Sequence, residues 1–165
     1  MEPSRARLYG STGHQRARHR RACENVGAVA FSVRPIDYFY VNTRDEVGAA
    51  YRVLSAFAER GVNLLAFTAV PNGEHRAQFA LFPADPSQFA AEARSAQIEV
   101  EGPHHALLVH GDDALGRLAG IHERLFKAGV DVYASSGVSD GQGSFGYVVY
   151  VREDQIEMAV EALAL

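Results

Sequence analysis

Two short loops carry residue types suited to holding a small anion. One is Asp45-Glu46-Val47-Gly48, the other Asp113-Ala114-Leu115-Gly116. Each precedes a segment with helical apolar spacing, which places a glycine-containing loop at a helix N-terminus. Free N–H groups and the positive end of the helix dipole suit a carboxylate there. The two aspartates have a second reading as helix N-caps, their side chains accepting N–H groups of the first turn. Beyond each helix stands another polar residue, Asn63 after Gly61-Val62 and Asp131 after Gly129-Val130. An asparagine offers both donor and acceptor and can meet an amino group or an amide. An aspartate there would pair with a cation and repel a carboxylate.

Other reactive residue types do not assemble into a recognisable catalytic pattern. His104, His105, His110 and His122 lie near Asp112 and Asp113 in the chain, but without HxxxH, HExxH or CxxC spacing. A strand through this segment would put His104 and His110 on one face and His105 on the other. There is no G-x-S-x-G, and the single cysteine, Cys23, lies in a segment without periodicity. The glycine-rich stretch from Gly137 to Gly146 has neither a Walker lysine nor G-x-G-x-x-G and reads as a hairpin turn. The expectation is a protein that is not an enzyme, with no cofactor and no metal.

One stretch, Ser144 to Tyr150 (SFGYVVY), matches the last six places of the RNA-recognition strand pattern from Phe145 onward. Against that reading, the strand ALLVHG (106–111) lacks the aromatic that would stack a second base. Alternating aromatics on a strand also serve packing. Charge argues the same way. The chain of 165 residues has a net charge of −4, but residues 1–27 hold six arginines and two acids, leaving −8 on the rest. Phosphate is repelled by such a body.

These loops must be positioned by the elements around them. Strands are expected at 28–34 and 36–41, separated by Pro35. A helix follows at 47–60, then strands at 62–70 and 75–82 joined at Asn72-Gly73, a hairpin signal. A helix at 86–95 and an alternating strand at 97–101 complete the unit, with Gly102-Pro103 as the boundary. At an offset of 68 residues Asp45 and Gly48 fall on Asp113 and Gly116, and Gly61 falls on Gly129. The second unit adds a strand at 144–151 and a helix at 153–163. Each unit reads β-α-β-β-α-β, a ferredoxin-like arrangement with an antiparallel sheet and helices on one face. The second unit lacks its last strand, and the offset suggests that 28–33 supplies it; alternatively that strand extends the first sheet.

The quoted motifs resemble those of the ACT domain, a small regulatory module: a strand, Asp-x-Pro-Gly, a helix, Gly-Ile-Asn-Ile and a second strand. Here the units carry DEVG with GVNL and DALG with GVDV, over about residues 36–165. Val47 and Leu115 stand where the family often has proline, and Asp131 replaces asparagine. The resemblance implies a fold of two tandem α+β ACT-like units, at 28–101 and 104–165, and a non-catalytic regulatory function. It implies binding of a small molecule, an amino acid being favoured, at Asp45, Val47, Gly48, Asn63 and Leu64, and at Asp113, Leu115, Gly116, Asp131 and Val132. The two sites should be unequal, with the Asn63 site favoured for an amino acid. Side-by-side pairing into an eight-stranded sheet, a homodimer or a regulated partner protein is expected. A purely structural scaffold is the remaining alternative.

The remaining bulk features set limits. No run of 18 apolar residues is present, so no membrane span is expected. One cysteine permits no intrachain disulfide, which suits a cytoplasmic location. The arginine-rich segment 1–27 has no helical or strand period and reads as a disordered extension.

Overall fold

The computed structural model describes residues 31–164. The segment 1–27, Cys23 and the start of the strand expected at 28 lie outside the described residues. The elements are β1 (Phe31–Arg44), α1 (Ala49–Ala58), β2 (Leu64–Pro71), β3 (Arg76–Pro83), α2 (Pro86–Ser95), β4 (Glu101–Asp112), α3 (Arg117–Lys127), β5 (Val132–Ser139), β6 (Ser144–Val151) and α4 (Ile156–Ala164). A short 3-10 turn, Glu153–Gln155, leads into α4. Among the described residues the strands form one antiparallel sheet in the order β2-β3-β1-β4-β6-β5.

The sequence repeat is also a repeat of register. Phe39 faces Leu81 in the first unit, and Leu107 faces Val149 in the second. A bulge between Leu64 and Ala66 recurs between Val132 and Ala134. The units meet along β1 and β4, each of which serves both. Residues Phe31–Ile36 lie against Ala106–Gly111, while Tyr38 and Tyr40 lie against His104 and Glu101. Asp37 faces His105 at the centre, and these two positions are equivalents in the repeat. An approximate twofold axis therefore passes through that pair.

Several expected boundaries shift. Pro35 does not break the strand. It sits opposite Leu107, beyond the last residues of β3 that pair with β1, so its second side is an open edge with no ladder bond to lose. β4 likewise runs through Gly102-Pro103, the expected boundary. There one residue of β1, Phe39, opposes two of β4, Gly102 and Pro103, so the proline lies in a bulge. The strand expected at 97–101 begins only at Glu101. Ile98 and Val100 alternate because they pack on the first-unit core, not because they join a ladder. The eight-stranded sheet is replaced by six strands because β1 and β4 are shared.

Odd and even strand residues build different cores. Phe39, Val41, Phe79 and Leu81 pack with Phe57 of α1 and Phe89 of α2. Leu107, Val109, Tyr147 and Val149 pack with Ile121 and Leu125 of α3 and Leu163 of α4. The other face holds a cluster drawn from strands alone: Ile36, Tyr38, Ala80, Phe82, Ala106, Val148 and Tyr150. Phe82 on β3 and Tyr150 on β6 have ring centroids 5.9 Å apart. Those strands are three places apart, about 14 Å in a flat sheet, so the sheet coils about this face. The Tyr38 hydroxyl lies 3.3 Å from that of Tyr133 and 3.4 Å from that of Tyr40. Burial, with these hydrogen bonds, pushes the Tyr38 pKa up and keeps the phenol protonated.

This packing disposes of the RNA-like strand. Phe145 and Tyr147 face the helices, Val148 and Tyr150 face the strand cluster, and all four are buried. No aromatic of β6 is free to stack a base. Among the described residues no helix is long and apolar enough to cross a membrane.

The hairpin between β5 and β6 is held by Asp140, whose Oδ1 accepts from the N–H of Gln142 at 2.7 Å and of Ser144 at 3.0 Å. These bonds favour the carboxylate and lower its pKa. A folded-state pKa below the unfolded value means that the contribution is present above the unfolded pKa and is lost as pH falls through the folded one. In an NMR titration Asp140 should therefore titrate below an ordinary aspartate, and the Gln142 and Ser144 amides should move with the same midpoint. A normal Asp140 midpoint would contradict this.

Candidate ligand sites at two helix starts

Each helix start is made by a glycine in a left-handed conformation. Gly48 has φ 84° and Gly116 φ 83°, and neither α1 nor α3 has a side-chain cap. A side chain would be strained at that φ. The expected capping by Asp45 and Asp113 is therefore corrected. Their backbones are tied instead to the neighbouring hairpins: Asp45 N–H donates to the His75 carbonyl (2.9 Å), and Asp113 N–H to that of Gly143 (2.8 Å). The chain needs three more residues and a left-handed turn before the helix can start.

A hollow opens at each start. The first, about 260 Å³, is lined by Asp45, Glu46, Gly48, Ala49 and Ala50, and by Ala69, Val70, Pro71, Ala77 and Phe79. The second, about 570 Å³, is lined by Asp113 to Ala119, by Gly137, Val138 and Ser139, and by Phe145 and Gly146. They are equivalent surfaces with different chemistry. Arg117 stands where the first unit has Ala49, Leu118 where it has Ala50, Ser139 where it has Pro71, and Phe145 where it has Ala77. Asp113 Oδ2 accepts from Ser139 Oγ at 2.7 Å, which fixes the carboxylate. The Arg117 Nε donates to the Asp112 carbonyl at 3.3 Å. In the first unit Arg52 is engaged by Glu46, and no cation lines the hollow.

The residues expected to share these sites divide between the helix ends. Asp45 and Gly48 line the first hollow, and Asp113, Leu115 and Gly116 the second. Val47 is fully exposed at its loop tip and does not line the first hollow. Asn63, Leu64, Asp131 and Val132 lie past the far ends of α1 and α3. A ten-residue helix is about 15 Å long, so they do not reach the hollow of their own unit. Asn63 is exposed, with its carbonyl accepting from Ala84 N–H. Asp131 Oδ2 lies 3.3 Å from Arg152 Nε. Leu64 and Val132 pack on their cores. Arg117, Leu118, Val138, Ser139 and Phe145 are lining residues that motif reading missed. A position-by-position comparison of the repeats carries the signal for four of them, since Arg117, Leu118, Ser139 and Phe145 each replace a different residue in the other unit, whereas Val138 matches Val70.

The histidines do not converge on a site. His104 packs between the rings of Tyr38 and Tyr40, with centroids 5.2 Å from each. His105 Nδ1 is 2.8 Å from Asp37 Oδ1, and His122 Nε2 is 2.6 Å from the Tyr147 hydroxyl. Among the described residues no three of His, Cys, Asp and Glu are grouped to hold a metal.

No family description and no curated protein matches the sequence. Solved structures do match in fold. Protein BT0572 from Bacteroides thetaiotaomicron superposes with a TM-score of 0.68 at 14% identity, over 79% of this chain and 88% of that one. The ligand-free regulatory subunit of aspartate kinase from Thermus thermophilus gives 0.60 at 16%, over 82% and 95%. A chain from a structure of aspartokinase alpha and beta subunits gives 0.58 at 17%, over 83% and 96%.

Proposed function

We propose that this chain, an α+β protein with the fold of tandem ACT-type regulatory domains, is a non-catalytic regulatory protein. Its main site is the second hollow, and its ligand is an apolar α-amino acid. The observation that carries this reading is the composition of that hollow. Arg117 and the free N–H groups at the start of α3 suit a carboxylate, Asp113 suits an ammonium group, and Leu115, Leu118, Val138 and Phe145 offer an apolar wall. A zwitterion with an apolar side chain meets all three demands. The first hollow, with Asp45 and Glu46 and no cation, is the weaker site for such a ligand. This reverses the order expected from Asn63 alone.

The fold shared with regulatory subunits of aspartate kinase supports a regulatory output, through a partner enzyme or a second copy. We place the units at 28–101 and 104–165, with the first part of β1 completing the second sheet, in keeping with the offset of the repeat and the pairing of Phe31–Ile36 with Ala106–Gly111.

Calorimetric titration of the full chain with each of the twenty amino acids tests the reading. One or more of Val, Leu, Ile, Met and Phe should bind, and Arg117→Ala should weaken that binding at least tenfold, about 1.4 kcal/mol. Asn63→Ala should leave it unchanged. Binding insensitive to Arg117→Ala would remove the second hollow as the site, and loss in Asn63→Ala would move the site to the first unit's other end.

A further inference from the structure

We infer that the first unit carries a separate site for a dianionic group of phosphate type, at Arg44, Arg76 and His75. Arg44 and Arg76 are directly opposed in the β1–β3 ladder. Like charges so placed repel. Both side chains project from the helix-free face, as alternation from Tyr38 and Ala80 requires. Neither guanidinium has a carboxylate within ion-pair distance among the described residues, although the body of the chain is acidic. Together with Asn42, Thr43 and Glu74 they line an open hollow of about 580 Å³.

His75 adjoins the pair in a left-handed backbone conformation, φ 56°, where the second unit has Gly143. A histidine is held there at a conformational cost that a glycine would avoid. Beside the arginines, Asn42 Oδ1 accepts from Gln78 Nε2 at 3.2 Å and from Asn72 Nδ2 at 3.4 Å, which fixes that edge of the surface. Glu74, also on the lining, lies 3.7 Å from His75 Nε2.

The repeat supplies an internal contrast. Where the first unit has Arg44 and Arg76, the second has Asp112 and Ser144. The site therefore belongs to the first unit alone and differs in place and chemistry from the amino-acid hollow. Two guanidinium forks can chelate a tetrahedral dianion with paired N–H donors and cancel their mutual repulsion. Free phosphate and the phosphate ester of a small molecule share this chemistry.

The test is thermal melting and calorimetry of the full chain with inorganic phosphate, against chloride at matched ionic strength, with glycerol 3-phosphate as a second arm. The expected result is a saturable rise in melting temperature with phosphate. Arg44→Gln and Arg76→Gln should each weaken binding at least tenfold and, without phosphate, melt no lower than the wild type. Tighter binding of glycerol 3-phosphate would identify an ester ligand, and equal binding the free ion. Arg117→Ala should keep the full phosphate response, so the two sites can fail separately. No phosphate-specific rise, or equal affinity in the arginine variants, would overturn the proposal.

Discussion

Phe82→Ala is expected to cost about 3–5 kcal/mol, the usual range for removing a fully buried aromatic ring, and to destabilise both halves of the molecule together. Phe82 is completely buried on the helix-free face, 5.1 Å from the Tyr38 ring and 5.9 Å from that of Tyr150. It belongs to the first unit by sequence, but Tyr150 belongs to the second. β1 and β4 are shared, so neither half can lose its sheet while the other stays intact. Denaturant unfolding followed by circular dichroism should remain a single transition with a lower midpoint. Hydrogen exchange should show Val148–Val151 on β6 losing protection by a factor comparable to that in β3. Protection lost only in β2, β3 and the first two helices would show that the units unfold separately and that the shared core does not couple them.

Substituting His105 with aspartate is expected to cost about 2 kcal/mol at neutral pH, from the lost hydrogen bond to a charged group plus the new like-charge contact. Asp37 and His105 are each about one-third exposed, so water screens the contact. His105 sits between two acids, with Nδ1 2.8 Å from Asp37 and Nε2 3.6 Å from Glu153. On an exact twofold axis a residue would meet its own kind. Here the repeat places an acid opposite a base, which favours pairing the first unit with the second over pairing like with like. In the variant two carboxylates face each other and repel, so added salt should recover part of the loss. The swapped variant Asp37→His/His105→Asp restores acid opposite base and should recover most of the loss. If the single variant melts like the wild type at pH 7, or the swap is no better than the single change, the pair does not set the pairing of the units.

The repeat, the order of elements and the glycines that end α1 and α3 were legible in the chain because they are local. Apolar spacing marks a buried helix face, and Gly61 and Gly129 mark the left-handed residues beyond the helices, with φ 71° and 73°. The loops that begin the helices were legible as candidate sites for the same reason. Their details were not. Asp45 and Asp113 have the residue type of caps, yet each is held by a hairpin more than 25 residues further along the chain, and no local pattern reports that bond.

The division of labour follows from distance along the chain. By itself the sequence determined two α+β repeats, an acidic body and two helix-start loops, each set by neighbours within a few turns. Only the tertiary structure decided that β1 and β4 are shared, that Asp37 meets His105, and that Asn63 and Asp131 stand a helix length from the loops with which the motif groups them. It also decided that Arg117, Ser139 and Phe145 surround one hollow while Ala49, Pro71 and Ala77 surround the other. The strand residues among them depend on register between strands far apart in the chain, where a shift of one residue would turn a side chain to the opposite face.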